Sequence, residues 1–440
     1  MLISPEGTVE RIVSRSLFKD DLYKSLVSNF FIYEGSYPVL LDIYAEKLRE
    51  KKRFLDNFTG LHIFVLTLCC NQNCVYCQAS SQDEHKAGCT MSKDVMKRSV
   101  DLMFSSPSPY LTMEFQGGEP SLVPDLLEYG MSYATSLNQN RERQLKFVLC
   151  TNCVNLTDRV LAICKEYDVL ISTSLDGPSF LHNRNRGKVD SYERVFSGIE
   201  KARSVLGKEK VSALMTTSYE GLDFPVEIVD EYVKLGFQSI FLRALNPYGL
   251  ATDSVNWEKY TNRFIEFYKK AFERVLEVNK AGTLFMEEFA AIVLRKILTP
   301  YSTGFVDLQS PAGIINSVLV YNYDGFVYCS DESRMLAEFN DHSFCLGSVN
   351  NEYQDLVYGQ KARDIARVWC NECLAGCADC GIRAYCGSDP VRNYSTQKDA
   401  YGYRPGSLLC KKHKAIIEYL ISLIIERESE VMPIFKRWLV

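Results

Sequence analysis

Residues 66–80 read LTLCCNQNCVYCQAS. Four of these fifteen residues are cysteine, and they follow directly on an apolar, strand-like run, LHIFVLTL at 61–68. A strand that ends in thiols on a short Asn- and Gln-containing loop presents soft metal ligands at the rim of a sheet. Cys70, Cys74 and Cys77 have the spacing C-x3-C-x2-C. Three thiolates can hold a cubane [4Fe–4S] cluster and leave one iron open to another ligand. The alternative is a zinc knuckle with Cys69 as fourth ligand, although adjacent cysteines lack the usual spacer of two or more residues.

The chain has 440 residues, of which 46% are apolar, enough for the cores of two or three domains. A net charge of −5 gives no reason to expect nucleic acid or an anionic membrane as partner. The start, MLISPEGTVER, lacks a basic-then-apolar signal, and the longest apolar runs, such as 61–70, fall well short of a membrane span. A cytoplasmic protein is expected, and there sixteen cysteines are not disulfides. They cluster in two places: Cys69, Cys70, Cys74 and Cys77, then Cys370, Cys373, Cys377, Cys380, Cys386 and Cys410. None of the five histidines falls in either cluster, which favours iron–sulfur or four-cysteine zinc.

The middle of the chain alternates strand-like and helix-like segments. Strands are predicted at 61–68, 111–116, 146–151, 169–175, 211–217 and 239–245. Helical spacing falls between them at 91–104, 122–137, 157–167, 192–205 and 225–235. Six β-then-α repeats predict an α/β fold with a parallel sheet curved into a partial barrel. The loops after the strands carry the unusual chemistry: the cysteines, GGEP (117–120), Asn152-Cys153, SLDGP (174–178) and NPYG (246–249). In β/α barrels that rim is the active face. Glycines let backbone approach a ligand closely, and Glu119 can accept hydrogen bonds from an ammonium group; a plain turn before a helix starting at Pro120 is the bland alternative. Beyond 257 the pattern changes to helices at 257–280 and 286–299, a hairpin at 318–329 turning at Asp324-Gly325, the second cysteine cluster, and a helix near 411–427. Three regions follow: a small N-terminal α+β element at 1–55, a barrel at 56–256 and a C-terminal region at 257–440.

Cys70, Cys74, Cys77, Tyr76 before the third cysteine, and GGEP resemble the radical S-adenosylmethionine (SAM) superfamily. The resemblance implies a partial (β/α)6 barrel and a [4Fe–4S] cluster whose open iron is chelated by SAM. It implies cleavage of SAM to methionine and a 5′-deoxyadenosyl radical, which takes a hydrogen atom from substrate. Gly117, Gly118 and Glu119 would then hold the methionine amino group, and Tyr76 would lie against the adenine. SLDGP followed by HNRNR (182–186) resembles the pattern of peptide-modifying members such as the sulfatase-maturating enzymes. Ser174 and Arg186 would hold the SAM carboxylate and Asp176 the ribose side. Asn183 stands where those relatives have Asp.

Cys377-x2-Cys380-x5-Cys386 and Cys410 resemble the SPASM extension of these enzymes, which implies one auxiliary [4Fe–4S] cluster; the bare spacing also fits a zinc ribbon. Pro390, Ser330 and Ser310 occupy places where the full pattern has cysteine, so a second auxiliary cluster would need Cys329, Cys345, Cys370 and Cys373. Asp331, beside Glu332, matches the position of a catalytic base in the sulfatase-maturating relatives. Longer runs, among them EFQGGEP (114–120), FLRALNPYG (241–249), SDESRML (330–336) and RPGSLLC (404–410), are similar to the His-Xaa-Ser system radical SAM maturases. Cys69 departs from that group, which has Arg there. The likeness implies a ribosomally made peptide substrate with His-Xaa-Ser repeats, a second radical SAM partner, an electron donor and a side-chain crosslink as product. The 1–55 element would bind a leader peptide. Two other readings use the same residues: formylglycine-type oxidation of a protein Ser or Cys, and a zinc-stabilised scaffold for a catalytic partner.

Overall fold

The computed structural model describes residues 21–28, 37–251 and 255–439. The chain divides into two units, Met1–Arg53 with Pro300–Ser302, and Phe54–Thr299 with Thr303–Val440. In the first unit the described elements are two helices, Asp21–Ser28 and Tyr37–Lys51. The expected leader-peptide element at 1–55 otherwise lies largely outside the described residues.

The second unit is built on five parallel strands, β1 (Leu61–Thr67), β2 (Tyr110–Gly117), β3 (Gln144–Thr151), β4 (Leu170–Ser174) and β5 (Val211–Leu214), in sequential order. Between them run α1 (Lys93–Ser105), α2 (Pro124–Asn138), α3 (Asp158–Glu166), then α4 (Ser179–Arg186) and α5 (Ser191–Leu206) together, with α6 (Pro225–Lys234) after β5. Ser92 and Thr157 cap α1 and α3 by accepting hydrogen bonds from Val95 N and Val160 N. Sequence periodicity missed α4, whose polar run SFLHNRNR hides its helical spacing.

The strands' period of two sorts their side chains. On β2, Leu111, Met113 and Phe115 are buried in the main apolar core, while Glu114 and Gln116 face the other way. On β3, Phe147 and Leu149 join that core, and Cys150 takes the opposite face. On β4, Ile171 is buried and Ser172 and Ser174 alternate with it. A polar interior is thereby written into otherwise apolar strands. Each fully buried Leu, Ile or Phe on the outer face contributes roughly 1.5–3 kcal/mol.

The sixth predicted strand is much shorter than 239–245. Only β6 (Ser239–Ile240) forms, and it pairs with β7 (Met286–Glu287) apart from the main sheet. Contact with the strand before it is a single bridge, Thr217 to Ala244. Side chains take the backbone donors that a ladder would use: Glu287 Oε1 accepts from Leu242 N at 3.0 Å, and Tyr260 Oη from Leu245 N at 2.7 Å. The sheet instead grows on the far side of β1. There β8 (Val318–Tyr321) pairs parallel with β1, followed antiparallel by β9 (Phe326–Tyr328) and β10 (Cys345–Ser348). The hairpin predicted at 318–329 is thus part of the barrel sheet, with Gly325 at φ +88° in its turn.

The C-terminal helices include α7 (Trp257–Lys280), α8 (Glu288–Leu298), α9 (Asp331–Ala337), α10 (Pro390–Gln397), α11 (Leu408–Glu426) and α12 (Glu428–Trp438), with two short ones, Tyr353–Tyr358 and Gln360–Ala366, between α9 and α10. Only α7, α8 and α11 were expected; α12 was not, although Val431, Ile434, Phe435 and Trp438 are buried at helical spacing. Among the described residues no helix is long and apolar enough to cross a membrane.

Candidate active site

The C-terminal ends of the strands surround a cavity of about 330 Å³. Its wall includes Cys70, Cys74 and Cys77 from the loop after β1, Gly117 and Gly118 from β2, and Ser174 from β4. Tyr76, Arg186 and Asp331 also line it. One space therefore collects these predicted residues from five segments of the chain.

The thiol loop is held by its neighbours. Val75 N bonds Asn185 O at 2.9 Å, and Leu250 N in the NPYG turn bonds Cys77 O at 3.0 Å. Gly187 ends α4 at φ +72°, and a Cβ there would come 2.4 Å from Asn73 O. N–H groups point at two of the sulfurs: Asn152 Nδ2 lies 3.9 Å from Cys70 Sγ and Arg186 Nη1 lies 3.7 Å from Cys74 Sγ. Burial pushes the Cys70 thiol up to about 12 and raises Cys74 as well, against the lowering effect of Arg186. Metal ligation at this loop therefore releases protons.

Cys69 is turned away from the cavity. It packs with Leu68, Cys89, Val318, Val320 and Tyr328 in a separate apolar cluster, and its thiol donates to Lys86 O at 3.3 Å. Alternation along the chain sends Cys69 and Cys70 to opposite sides. Among the described residues no three His, Cys, Asp or Glu side chains converge on a single-ion site.

Two predicted residues sit behind the wall and do not line it. Glu119 is fully buried, and its Oε1 accepts from Ser121 N at 2.9 Å and Thr151 Oγ1 at 2.7 Å. Its Oε2 accepts from Asn152 N at 2.7 Å, so the carboxylate braces the rims after β2 and β3. Asp176, also fully buried, accepts from Arg186 Nη2 at 2.8 Å and Arg186 Nε at 3.1 Å, and from Asn185 Nδ2 at 3.1 Å and the Tyr76 hydroxyl. Burial opposes the Asp176 charge, but Arg186 prevails and holds its carboxyl below the ordinary range. Asp176 fixes Arg186, whose guanidinium stands 5.5 Å over the Tyr76 ring. Asn183 lies outside the cavity, where Nδ2 donates to Val189 O and Oδ1 accepts from Tyr192 N, both at 2.6 Å.

The cavity also gathers residues that the sequence reading passed over: Gln72, Glu114, Gln116, Cys150, Arg243 and Arg334. For Glu114, Gln116, Cys150 and Arg243 the signal was present as polar side chains at alternate positions of apolar runs, EFQ, LCT and FLR; Gln72 on the thiol loop and Arg334 on α9 had no such pattern. Asp331 Oδ1 accepts from Arg334 Nη2 at 3.2 Å. Glu332 turns instead into a neighbouring cavity of about 70 Å³ with Asp307 and Asp389, where burial raises it to about 8.

In the C-terminal region Cys377 and Cys380 are near enough to Cys410 to raise its proton affinity, and Cys377 and Cys410 act likewise on Cys386. Cys410 itself stands in the first turn of α11. Of the remaining thiols, Cys329 is fully buried in the main core and Cys345 donates to Gly347 O at 3.4 Å.

Residues 64–220 match the sequence pattern of the Radical SAM superfamily. They carry the α/β radical SAM fold. The chain is 22% identical over 377 residues to the cysteine-type anaerobic sulfatase-maturating enzyme of Clostridium perfringens, covering 82% of this chain and 96% of that one. It is 28% identical over 224 residues to the AdoMet-dependent heme synthase of Methanosarcina barkeri, covering 49% of this chain and 61% of that one. Its fold is similar to that of native anSMEcpe with bound AdoMet, at 19% identity and a TM-score of 0.66, covering 84% of this chain and all of that one. It is also similar to Streptococcus suis SuiB bound to the precursor peptide SuiA, at 14% identity and a TM-score of 0.56, covering 91% and 89% of the two chains.

Proteins of the radical SAM superfamily bind a [4Fe–4S] cluster and SAM, and the residues of this domain fit such a load. Three thiols face the cavity, and buried polar atoms of its lining residues, Gln72 Oε1 and Arg334 Nε among them, have no hydrogen-bond partner within the protein. Buried polar groups left open in this way are suited to a polar ligand. Gly118 serves the wall itself, because a Cβ there would meet Cys69 O at 2.3 Å and Leu68 O at 2.4 Å.

Proposed function

We propose that this chain is a radical SAM maturase that modifies, by crosslinking, side chains of a ribosomally made peptide. The observation that carries the reading is the single cavity uniting three thiols, two glycines, Arg186 over Tyr76, and Asp331. A reduced [4Fe–4S] cluster with SAM supplies a radical that takes a hydrogen atom from substrate. Cys70, Cys74 and Cys77 would hold the cluster. The backbone of Gly117 and Gly118 would face the methionine end of SAM, Ser174 and Arg186 its carboxylate, and Tyr76 its adenine. Glu119 and Asp176 act one step back, by fixing the loops and the guanidinium that make these contacts. Cys377, Cys380, Cys386 and Cys410 would hold one auxiliary [4Fe–4S] cluster, closed by four thiolates and suited to electron transfer. Asp331, on the cavity wall at the start of α9, would take the proton that leaves with the second electron.

The peptide substrate rests on likeness to SuiB, which was solved with its precursor peptide, and on the extended similarity to the sulfatase-maturating enzyme. That second likeness also favours oxidation of a protein Ser or Cys to a formylglycine-type aldehyde. A His-Xaa-Ser repeat protein as substrate and a second radical SAM protein as partner belong to the same proposal. The test is anaerobic reconstitution with iron and sulfide, then dithionite-driven SAM cleavage, beside a Cys70/Cys74/Cys77 triple Ala variant. The wild type should form 5′-deoxyadenosine, while the variant should form none and keep about half the iron of two cubanes. Bound zinc with intact SAM would overturn the proposal. A product peptide two hydrogens lighter, fragmenting abnormally between modified residues, marks a crosslink; an aldehyde trapped by hydrazide marks oxidation.

A further inference from the structure

One thiol in the cavity has no place in either cysteine motif. Cys150 projects from the inner face of β3, and its Sγ donates to Glu114 Oε1 at 3.6 Å. Gln116 Nε2 donates to the same carboxylate oxygen. All three side chains line the cavity with Asp331 and Arg243. Two further buried residues of the same wall each leave one polar atom open to a ligand: Gln72, 2% exposed, at Oε1, and Arg334, 1% exposed, at Nε, while Arg334 Nη1 and Nη2 are held by Ala79 O and Asp331 Oδ1. Burial, reinforced by the Glu114 charge, keeps Cys150 a thiol well above the usual range. A thiol S–H bond is weaker than an aliphatic C–H bond, so a carbon radical beside it takes its hydrogen atom.

We propose that Cys150 is a hydrogen-atom donor to carbon radicals formed in this cavity, with Glu114 returning the proton. The inference rests on the radical SAM reading above. In the step a C–H bond forms and the Cys150 S–H bond breaks. The carbon radical is reduced by one electron and sulfur is oxidised to a thiyl radical. A low-potential one-electron donor, of the same class that must drive SAM cleavage, reduces the thiyl to thiolate. Glu114, a carboxylate while the thiol beside it is intact, takes a proton from solvent through the open cavity once the thiolate forms and passes it to sulfur. Glu114 is suited to this because burial raises its pKa, so that it binds a proton more readily than an exposed carboxylate. A radical that does not complete the peptide chemistry would then be quenched in place, and the hydrogen it gains would come from solvent.

The experiment uses the reconstituted full chain with SAM and dithionite in D₂O, without peptide. Mass spectrometry reads deuterium in the 5′-deoxyadenosine formed. In the wild type most of the product should carry one deuterium, because the Cys150 S–H exchanges with solvent. Cys150→Ala and Cys150→Ser, judged at matched iron content, should lower the labelled fraction several-fold. Unlabelled wild-type product, or equal labelling in both variants, overturns the proposal while leaving the radical SAM reading intact. Absence of any 5′-deoxyadenosine from iron-loaded wild type overturns that reading, and this one with it. A second readout needs no cofactor. In the chain before reconstitution, Glu114→Gln removes the charge that holds the proton on Cys150, so alkylation of that residue by iodoacetamide at pH 8 should quicken several-fold, as followed by peptide mapping. An unchanged rate overturns the link to Glu114.

Discussion

Replacing Asp176 by Asn removes the negative half of a buried ion pair and nearly preserves its shape. Arg186 aims two donors at Asp176, 2.8 and 3.1 Å away, and the Arg186 side chain is only 10% exposed. Asn must present an NH₂ group to one of those donors, and the guanidinium is left charged without a counter-ion. Breaking a buried pair from one side costs about 3–5 kcal/mol. At about 2 °C per kcal/mol for a large domain, thermal unfolding of the chain without cofactors should fall by roughly 6–10 °C. Tyr76→Phe deletes only the hydroxyl bond to the charged Asp176 and should cost less, about 1.5–3 kcal/mol. The sign of the pH dependence follows from the lowered pKa of Asp176. The pair's stabilisation is complete above the unfolded value of about 3.9 and is lost as pH falls through the lower folded value. The gap between wild type and variant should therefore be constant from about pH 5 to 8 and close below about pH 4. Calorimetry of both proteins across that range is the assay. A penalty of about 1 kcal/mol or less, the size of a surface pair, would refute the reading of Asp176 as the anchor of Arg186.

Cys69→Ser should leave the iron content after reconstitution unchanged, because the thiol packs in a separate apolar cluster against Lys86 O; loss of a whole cluster's iron would make Cys69 a ligand. Gly118→Ala should cost about 1–3 kcal/mol and lower iron loading, since the new Cβ would meet Leu68 O at 2.4 Å and displace the backbone that leads into Cys70; normal loading by iron assay would contradict the contact. His62 is fully buried between the Tyr321 hydroxyl, 2.9 Å from Nδ1, and Thr59 O, 3.1 Å from Nε2, and burial lowers its pKa to about 3. The unfolded chain then binds the extra proton, so stability should fall as pH drops below about 6.5, by about 2 kcal/mol at pH 5 from this residue. A urea midpoint in His62→Gln that responds to pH as in wild type would exclude His62 as the cause.

The sequence by itself determined the ligand chemistry and the repeat. Thiol spacing is local, and C-x3-C-x2-C needs no tertiary information to suggest three ligands on one loop. The alternation of apolar strands and amphipathic helices is equally local, and the Asp324-Gly325 turn marks its hairpin by backbone preference alone. Tertiary structure decided everything that depends on which way a side chain turns and what competes for it. Adjacent Cys69 and Cys70 are indistinguishable as letters, but alternation past the irregular end of β1, where its register with β2 shifts, puts one in an apolar cluster and the other on the cavity. Glu119 and Asp176 are acidic residues at ligand-like positions, yet nearby donors claim both carboxylates. The sixth strand is apolar enough to form, but Glu287 and Tyr260, distant in sequence, take its donors. Glu114, Cys150 and Asp331 share one cavity only because parallel strands end on the same rim. Such choices are settled by packing and by competition for hydrogen bonds between segments far apart in the chain, and no local pattern records them.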